Sequence, residues 1–192
     1  MGTAMPVLET ERLRIRPFIM DDVSFIGPVR SVDDAAENRA YVAGCIAMSE
    51  HLASLYQPPY GDRAVVRKSD DRLIGIVGLV PMLFPFDQYP YRSNGKQPQT
   101  VQPTSAEVGL YWEIDPACRQ QGYATEAGQA LIDYVFNHLN LGRIVANTDY
   151  DNRASQGVMR KLGMTLEHNP LPEPEWVQML GILENMQKET QS

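Results

Sequence analysis

The sequence predicts a mixed α/β fold, a central, mostly antiparallel twisted sheet of about seven strands flanked by about four helices. Three observations predict it. Short apolar stretches of strand length alternate with longer helical patterns in the order β, α, α, β, β, long loop, β, α, β, α, β, β. Arg63–Lys68 and Leu73–Val80 are joined only by the polar turn Ser69-Asp70-Asp71, which implies antiparallel pairing. The strand–helix–strand run from Glu107 to Thr148 implies one parallel pair.

In chain order, residues 7–18 alternate from Leu13 onward. Leu13 and Ile15 fall on one face and Arg12, Arg14 and Arg16 on the other, as in a half-buried strand whose basic face is either solvated or a binding patch. Met20-Asp21-Asp22 caps a short helix through Val29. Asp33-Asp34 starts a second helix, which runs to about Tyr56 and stops at Gln57-Pro58-Pro59. Gly75 and Gly78 inside a strand signal close approach of another backbone or side chain. Residues 81–104 contain Pro81, Pro85, Pro90 and Pro98, which forbid one regular element, so the segment reads as a long insertion loop. Its aromatic first half suits a lid, and its polar second half, S-N-G-K-Q-P-Q-T, suits a mobile tract.

A helix from about Gly122 carries Ala127, Ala130, Leu131, Tyr134 and Val135 on one stripe and stops at Asn140-Leu141-Gly142. A strand at Arg143–Thr148, a helix at Ala154–Leu162, a short strand at Met164–Glu167 and a last strand at Trp176–Leu183 complete the order. No internal repeat or linker appears, so residues 1–192 read as one domain.

Composition narrows the function classes. With 17 basic and 24 acidic residues the net charge is −7, a poor match to nucleic acid, whose binding draws on phosphate neutralisation. Cys45 and Cys118 form no disulfide framework, and they and the three histidines show no metal-ligand spacing, so no metal is expected. The most apolar run, Leu73 to Phe86, is too short and too proline-broken to span a bilayer. The N-terminus lacks a signal peptide's apolar core. The expected compartment is the cytoplasm, with no membrane partner and a monomer or homodimer.

The chemistry concentrates in Glu107–Ala127, E-V-G-L-Y-W-E-I-D-P-A-C-R-Q-Q-G-Y-A-T-E-A. A strand, a glycine-bearing turn and a helix N-terminus in that order make an anion cradle, because the first helical turn leaves its N–H groups unpaired and the helix dipole is positive there. The loop has neither the lysine nor the Ser/Thr of a nucleoside-triphosphate loop, and so suits a diphosphate held by backbone N–H groups.

Arg119-x-x-Gly122-x-Ala124 resembles the acetyl-CoA diphosphate loop of the GNAT acyltransferase superfamily. L-E-T-E-R-L-R-I-R-P at 8–17, G-Y-A-T-E-A at 122–127, D-N-R-A-S at 151–155 and K-L-G-M at 161–164 are similar to its RimJ/RimL-like, ribosomal-protein N-acetyltransferase branch, in the same order. The resemblance covers nearly the whole chain and implies the GNAT fold. It also implies acetyl-CoA as co-substrate, an amine acceptor, and direct attack in a ternary complex. Arg119, Gln120, Gln121, Gly122, Tyr123, Ala124 and Thr125 would hold the diphosphate, and Trp112 to Ile114 the pantetheine arm. Asn152 and Ser155 fall beside the pantetheine and sulfur.

Each of these last two has a structural alternative, Asn152 as a helix cap and Ser155 as first-turn packing. The tyrosine that protonates the thiolate in many superfamily members is here Met159. Cys118 reads as a small packed residue. For the general base Glu107 is the first candidate and Glu113 the second, on the same face of a regular strand, with a surface role open to either. Deprotonating an α-amine near pH 7 costs about 1.4 kcal/mol and a lysine roughly 4–5 kcal/mol, so an N-terminal or small-molecule amine asks less of a base. The acceptor stays open within the primary amines, and residues 81–104 and L-P-E-P-E-W at 171–176 are the departures from the family pattern. The alternative is a catalytically degenerate CoA-binding sensor or scaffold.

Overall fold

A computed structural model describes residues 5–90 and 99–186. The strand expected at 7–18 is a hairpin instead, with β1 (Leu8–Glu9) antiparallel to β2 (Leu13–Arg16) and Leu8 opposite Ile15. Thr10 makes the turn. Its N–H donates to the Leu13 carbonyl at 2.9 Å, and its Oγ accepts from the Leu13 N–H at 2.9 Å. Such local bonding competes with a continuous strand and here displaces it.

The helices follow from their caps. A 3₁₀ turn at Met20–Asp22 leads into α1 (Val23–Arg30), and Asp22 accepts from the Ile19 N–H at 2.9 Å. The Asp34 carboxylate accepts from the N–H groups of Ala36 and Glu37 at 2.8 and 2.9 Å and opens α2 (Ala35–Ser54). After β3 (Gly61–Arg67), β4 (Arg72–Phe84), β5 (Ser105–Ile114) and a 3₁₀ turn at Pro116–Cys118 come α3 (Tyr123–Asn137), β6 (Arg143–Thr148), α4 (Arg153–Lys161), β7 (Thr165–His168) and β8 (Met179–Glu184).

The hydrogen-bonded strand order is β1-β2-β3-β4-β5-β6-β8-β7. The described pairs are antiparallel except β5–β6, which is parallel with Gly109 opposite Val145, the one parallel pair the sequence implies. The fold is therefore the expected mixed α/β class, with eight strands because the first splits in two.

The chain divides into two compact units, Met1–Val80 with Tyr111–Asp133 and Pro81–Leu110 with Tyr134–Ser192. In the first, α1 and α2 bury Phe18, Ile26, Val29 and Val42 with Ala64, Val66, Leu73 and Ile76 of the sheet. Two glycines of β4 are explained by close approach. A Cβ on Gly75 would stand 2.6 Å from the Glu113 carbonyl, and one on Gly78 would stand 2.7 Å from the Gly61 carbonyl.

In the second unit, the part of the insertion expected to suit a lid contributes strand and core instead at residues 81–89. β4 runs on through Pro81 to Phe84, and a 3₁₀ turn follows at Phe86–Gln88. Phe84, Phe86 and Tyr89 are buried with Val145, Val177, Leu180 and Ile182. Apolar burial pulls this half of the insertion into the core; each large aromatic side chain so buried is worth roughly 2–3 kcal/mol. Most of the polar tract, expected as mobile, lies outside the described residues.

Gly75→Ala should lower stability by about 1–3 kcal/mol, because the Glu113 carbonyl is backbone and cannot swing aside. Urea unfolding measures this, and an unchanged midpoint would contradict the close approach.

Candidate functional site

The first unit carries the cradle. At the end of β5, Asp115 is buried and ion-paired to Arg72 Nη2 at 2.9 Å, while its Oδ1 accepts from the Ala117 N–H at 2.9 Å. That cap turns the chain through Pro116–Cys118. Arg119 folds back so that its Nε donates to the Ile114 carbonyl at 3.0 Å. Gln120 and Gly122 then adopt φ of +61° and +84°. Alternation into the left-handed region turns successive N–H groups toward one side, the geometry of an anion nest. The first helical bond, from the Glu126 N–H to the Gly122 carbonyl at 3.0 Å, leaves the N–H groups of Tyr123, Ala124 and Thr125 without intrahelical acceptors.

One residue set that the sequence reading did not single out holds this loop in place. Arg12, in the β1–β2 turn, donates through Nη1 to the Gln121 carbonyl at 2.9 Å and through Nε to Glu126 Oε2 at 2.6 Å. Its N–H and Thr10 Oγ both donate to Glu126 Oε1, at 2.9 and 2.6 Å. The guanidinium lies 4.5 Å from the centre of the Tyr123 ring, and Nη2 would stand 3.3 Å from a Cβ on Gly122. Burial opposes ionisation of Glu126, yet the bonds from Thr10 and Arg12 hold its carboxyl below the ordinary value. The signal was available, since Thr10 and Arg12 lie in one family-like stretch and Glu126 in another.

The other two arginines of that supposed basic face are likewise paired within the chain. Arg14 meets Glu9 at 3.2 Å and Asp71 at 2.8 Å, and Arg16 grips Asp22 through two 2.8 Å bonds. Arg12 and Arg14 nonetheless stay largely open to solvent, their side chains 43% and 39% exposed, as expected of a solvated face.

Beside the cradle, Trp112 and Glu113 are half-buried and Ile114 is buried. Tyr111 Oη donates to Glu113 Oε2 at 2.8 Å. Burial, the bond to Glu113 and the nearby charge of Asp62 together raise the Tyr111 phenol well above its ordinary range, so it stays a donor. Asp62 itself accepts from Tyr41 Oη at 2.6 Å.

The second unit carries Glu107, Asn152 and Ser155. Glu107 is buried, and both of its oxygens are engaged. Arg143 donates through Nε and Nη2 at 2.8 Å each, and Ser105 Oγ donates to Oε1 at 2.8 Å. The Arg143 guanidinium lies 4.0 Å from the centre of the Phe86 ring. Glu107 thus anchors β5 to β6.

The buried positions of β5 run Glu107, Gly109, then Leu110 and Ile114.

Asn152 caps α4, with Oδ1 accepting from the Ser155 N–H at 3.1 Å. Ser155 is half-buried, and its hydroxyl has no hydrogen-bond partner among the described residues. Met159 is fully buried and packs against β8, where a Cβ on Gly181 would lie 3.1 Å from its sulfur. Among the described residues, no group of three or more His, Cys, Asp or Glu could hold a metal ion, and no helix is long and apolar enough to cross a membrane.

Residues 12–165 match the family model described as an acetyltransferase (GNAT) domain, and the chain belongs to that family. It is 28% identical over 164 residues to the uncharacterised N-acetyltransferase YnaD of Bacillus subtilis, covering 83% of each chain. To the uncharacterised N-acetyltransferase YoaA of the same organism it is 29% identical over 168 residues, covering 84% of each.

Solved structures share the fold. A GNAT-family acetyltransferase from Bacillus anthracis superposes with TM-score 0.67 at 19% identity, covering 94% of this chain and 99% of that one. The ribosomal-protein-S5-alanine acetyltransferase of Vibrio fischeri gives 0.63 at 18%, covering 94% and 97%. RimL, the ribosomal L7/L12 α-N-protein acetyltransferase, in complex with coenzyme A, gives 0.59 at 15%, covering 92% and 96%.

Because the folded Glu126 carboxyl titrates below its ordinary value of 4.5, its stabilisation is complete above that pH and is lost as pH falls through the folded value. Glu126→Gln should therefore cost about 1–2 kcal/mol at pH 7, with the gap to wild type closing as pH falls through the lowered folded value. Urea titrations over that range measure it; a gap that stays constant or widens on acidification contradicts the assignment.

Proposed function

We propose that this chain, as one acetyltransferase domain, transfers an acetyl group from acetyl-CoA to a primary amine by direct attack in a ternary complex. The observation that carries the reading is the nest at Gln120–Gly122 running into the free N–H groups of α3, held by Arg12 and Glu126. The fit to a diphosphate is specific in one respect. The positive φ at Gly122 disfavours any side chain there, so the backbone itself is the binding surface.

Arg119 to Thr125 would bind the diphosphate, and the backbone of Trp112 to Ile114 would bind the pantetheine arm. The thioester brings an already activated acyl group, so no enzyme nucleophile is needed. Cys118 is buried beside Arg67, at 3.7 Å from Nη1.

Of the two candidate bases, Glu113 is favoured. It uses one oxygen to accept from Tyr111, whereas Glu107 has both oxygens engaged. With Met159 buried at the position of the family tyrosine, the half-buried Ser155 hydroxyl, or a water, would donate a proton to the departing thiolate, and Asn152 orients the Ser155 backbone. The acceptor is a primary amine, either a protein N-terminus or a small molecule. A net charge of −7 favours a cationic acceptor through long-range steering and disfavours nucleic acid. The expected setting is the cytoplasm, as monomer or homodimer.

The second reading, a CoA-binding sensor or scaffold without turnover, draws on the same Met159. Thiol release from acetyl-CoA across an amine panel separates the two. Turnover with at least one amine, reduced more than about 100-fold in Gly122→Glu, is the expected result, since the substitution places a carboxylate in the nest at φ +84°. Tight CoA binding with no turnover on any amine would establish the binding module instead.

A further inference from the structure

Two segments depart from the family pattern, the insertion at 81–104 and the proline-rich stretch after His168, and the structure joins them through buried amides within the second unit. Gln88, at 0% exposure, donates through Nε2 to Asn169 Oδ1 at 2.6 Å and to the Glu173 carbonyl at 2.7 Å. Gln88 Oε1 also faces the Gln102 N–H, at 3.4 Å. Asn169, 6% exposed, donates through Nδ2 to the carbonyls of Glu173 and Val177 at 3.2 and 2.8 Å, while its Oδ1 also accepts from the Leu171 N–H at 3.1 Å. A primary amide has two donors and an acceptor with two lone pairs, and Asn169 uses three of these on this loop and the fourth on Gln88.

The loop so fixed reaches the turn that carries Asn152 and Ser155. Tyr150 Oη donates to the Asn169 carbonyl at 3.0 Å, and the Tyr150 N–H donates to Gln178 Oε1 at 2.8 Å. The Tyr150 ring stacks on His168 with centroids 5.5 Å apart. From the helix side, Gln156 Nε2 faces the carbonyls of Asp149 and Tyr150 at 3.3 and 3.0 Å. The turn at 149–152 is therefore held between α4 and the proline-rich loop, and the latter contact depends on Gln88 and Asn169.

We propose that Gln88 and Asn169 are positioning residues. Their buried amide pair ties the chain at Gln88 to residues 169–178 and, through Tyr150, sets where Asn152 and Ser155 stand. This rests on the acetyl-transfer reading for its catalytic consequence but not for its structural one. It also means that the two departures from the family pattern form a single device. Grafting one of them from a relative without the other would leave buried amides unpaired, a penalty of about 1–3 kcal/mol for each group.

The test uses the full chain in three forms, wild type, Gln88→Met and Tyr150→Phe. Gln88→Met keeps the side-chain volume and removes both donors; Tyr150→Phe removes one hydroxyl and is the variant safer for folding. Backbone hydrogen–deuterium exchange is read by peptide, alongside CoA affinity by calorimetry and kcat with an amine the wild type accepts. In both variants, exchange should rise at 149–155. In Gln88→Met it should rise at 169–178 as well, while peptides covering 119–126 and the CoA dissociation constant stay within about twofold of wild type. Falls in kcat should be on the order of tenfold. The two changes combined should lose less than the product of the single effects, because both act along one path.

Wild-type exchange at 149–155 in both variants overturns the proposal. So does a lowered Tm with kcat unchanged, which would mark a structural role alone. If the wild type turns over no amine, the acetyl-transfer reading fails, and the exchange data still decide whether the amide pair holds the turn.

Discussion

The first unit depends on a carboxylate and a guanidinium meeting at the start of α3. Glu126 receives Thr10 Oγ, the Arg12 N–H and the Arg12 side chain, and the same guanidinium reaches back to the Gln121 carbonyl. Gln120 at φ +61° is an uncommon conformation for a residue with a side chain, costing on the order of 1–2 kcal/mol. A loop with that conformation keeps its shape when the surroundings hold it, and here the β1–β2 turn does so. The same bonds keep an acidic side chain of the first helical turn folded onto the hairpin, so the exposed N–H groups remain available to a ligand's own negative charge.

The second unit applies the same logic with other chemistry. Glu107 and Arg143 tie β5 to β6 through paired bonds in a largely buried setting, where removing either partner would strand the other. Gln88 and Asn169 do for the irregular segments what that pair does for the strands. Uncharged amides suit the task, because they satisfy several backbone carbonyls without the desolvation cost of a charge. The resulting division places rigidity beneath Asn152 and Ser155, the residues proposed to lie beside the thiol.

Much of this was legible in the sequence where local rules govern. Asp34 as a helix cap, the strand at Arg143–Thr148, the parallel β5–β6 pair and the close approach at Gly75 and Gly78 all follow from capping, periodicity and glycine placement. The rest depended on partners distant in the chain. Alternation from Leu13 is genuine, but Thr10 closes a hairpin before it. The arginines at 12, 14 and 16 looked like one face because their partners Glu126, Asp71 and Asp22 come from three separate segments.

Prolines at 81 and 85 argued for a loop, yet a strand tolerates proline where no donor is required, and aromatic burial carried the segment into the core. Periodicity placed Glu107 and Glu113 alike, while partners elsewhere leave one sequestered by Arg143 and the other bonded to Tyr111. What a carboxylate can do depends on those partners, and spacing along the chain does not reveal them.

The central claim is that the backbone nest, kept in shape by Arg12, binds the diphosphate of CoA. Calorimetric titration of CoA into wild type and Arg12→Met tests it most directly. CoA binding to the wild type, weakened on the order of tenfold in Arg12→Met while the variant's secondary structure is retained, is the predicted result. Equal affinity in the two proteins, or no binding of CoA to the wild type, would contradict it.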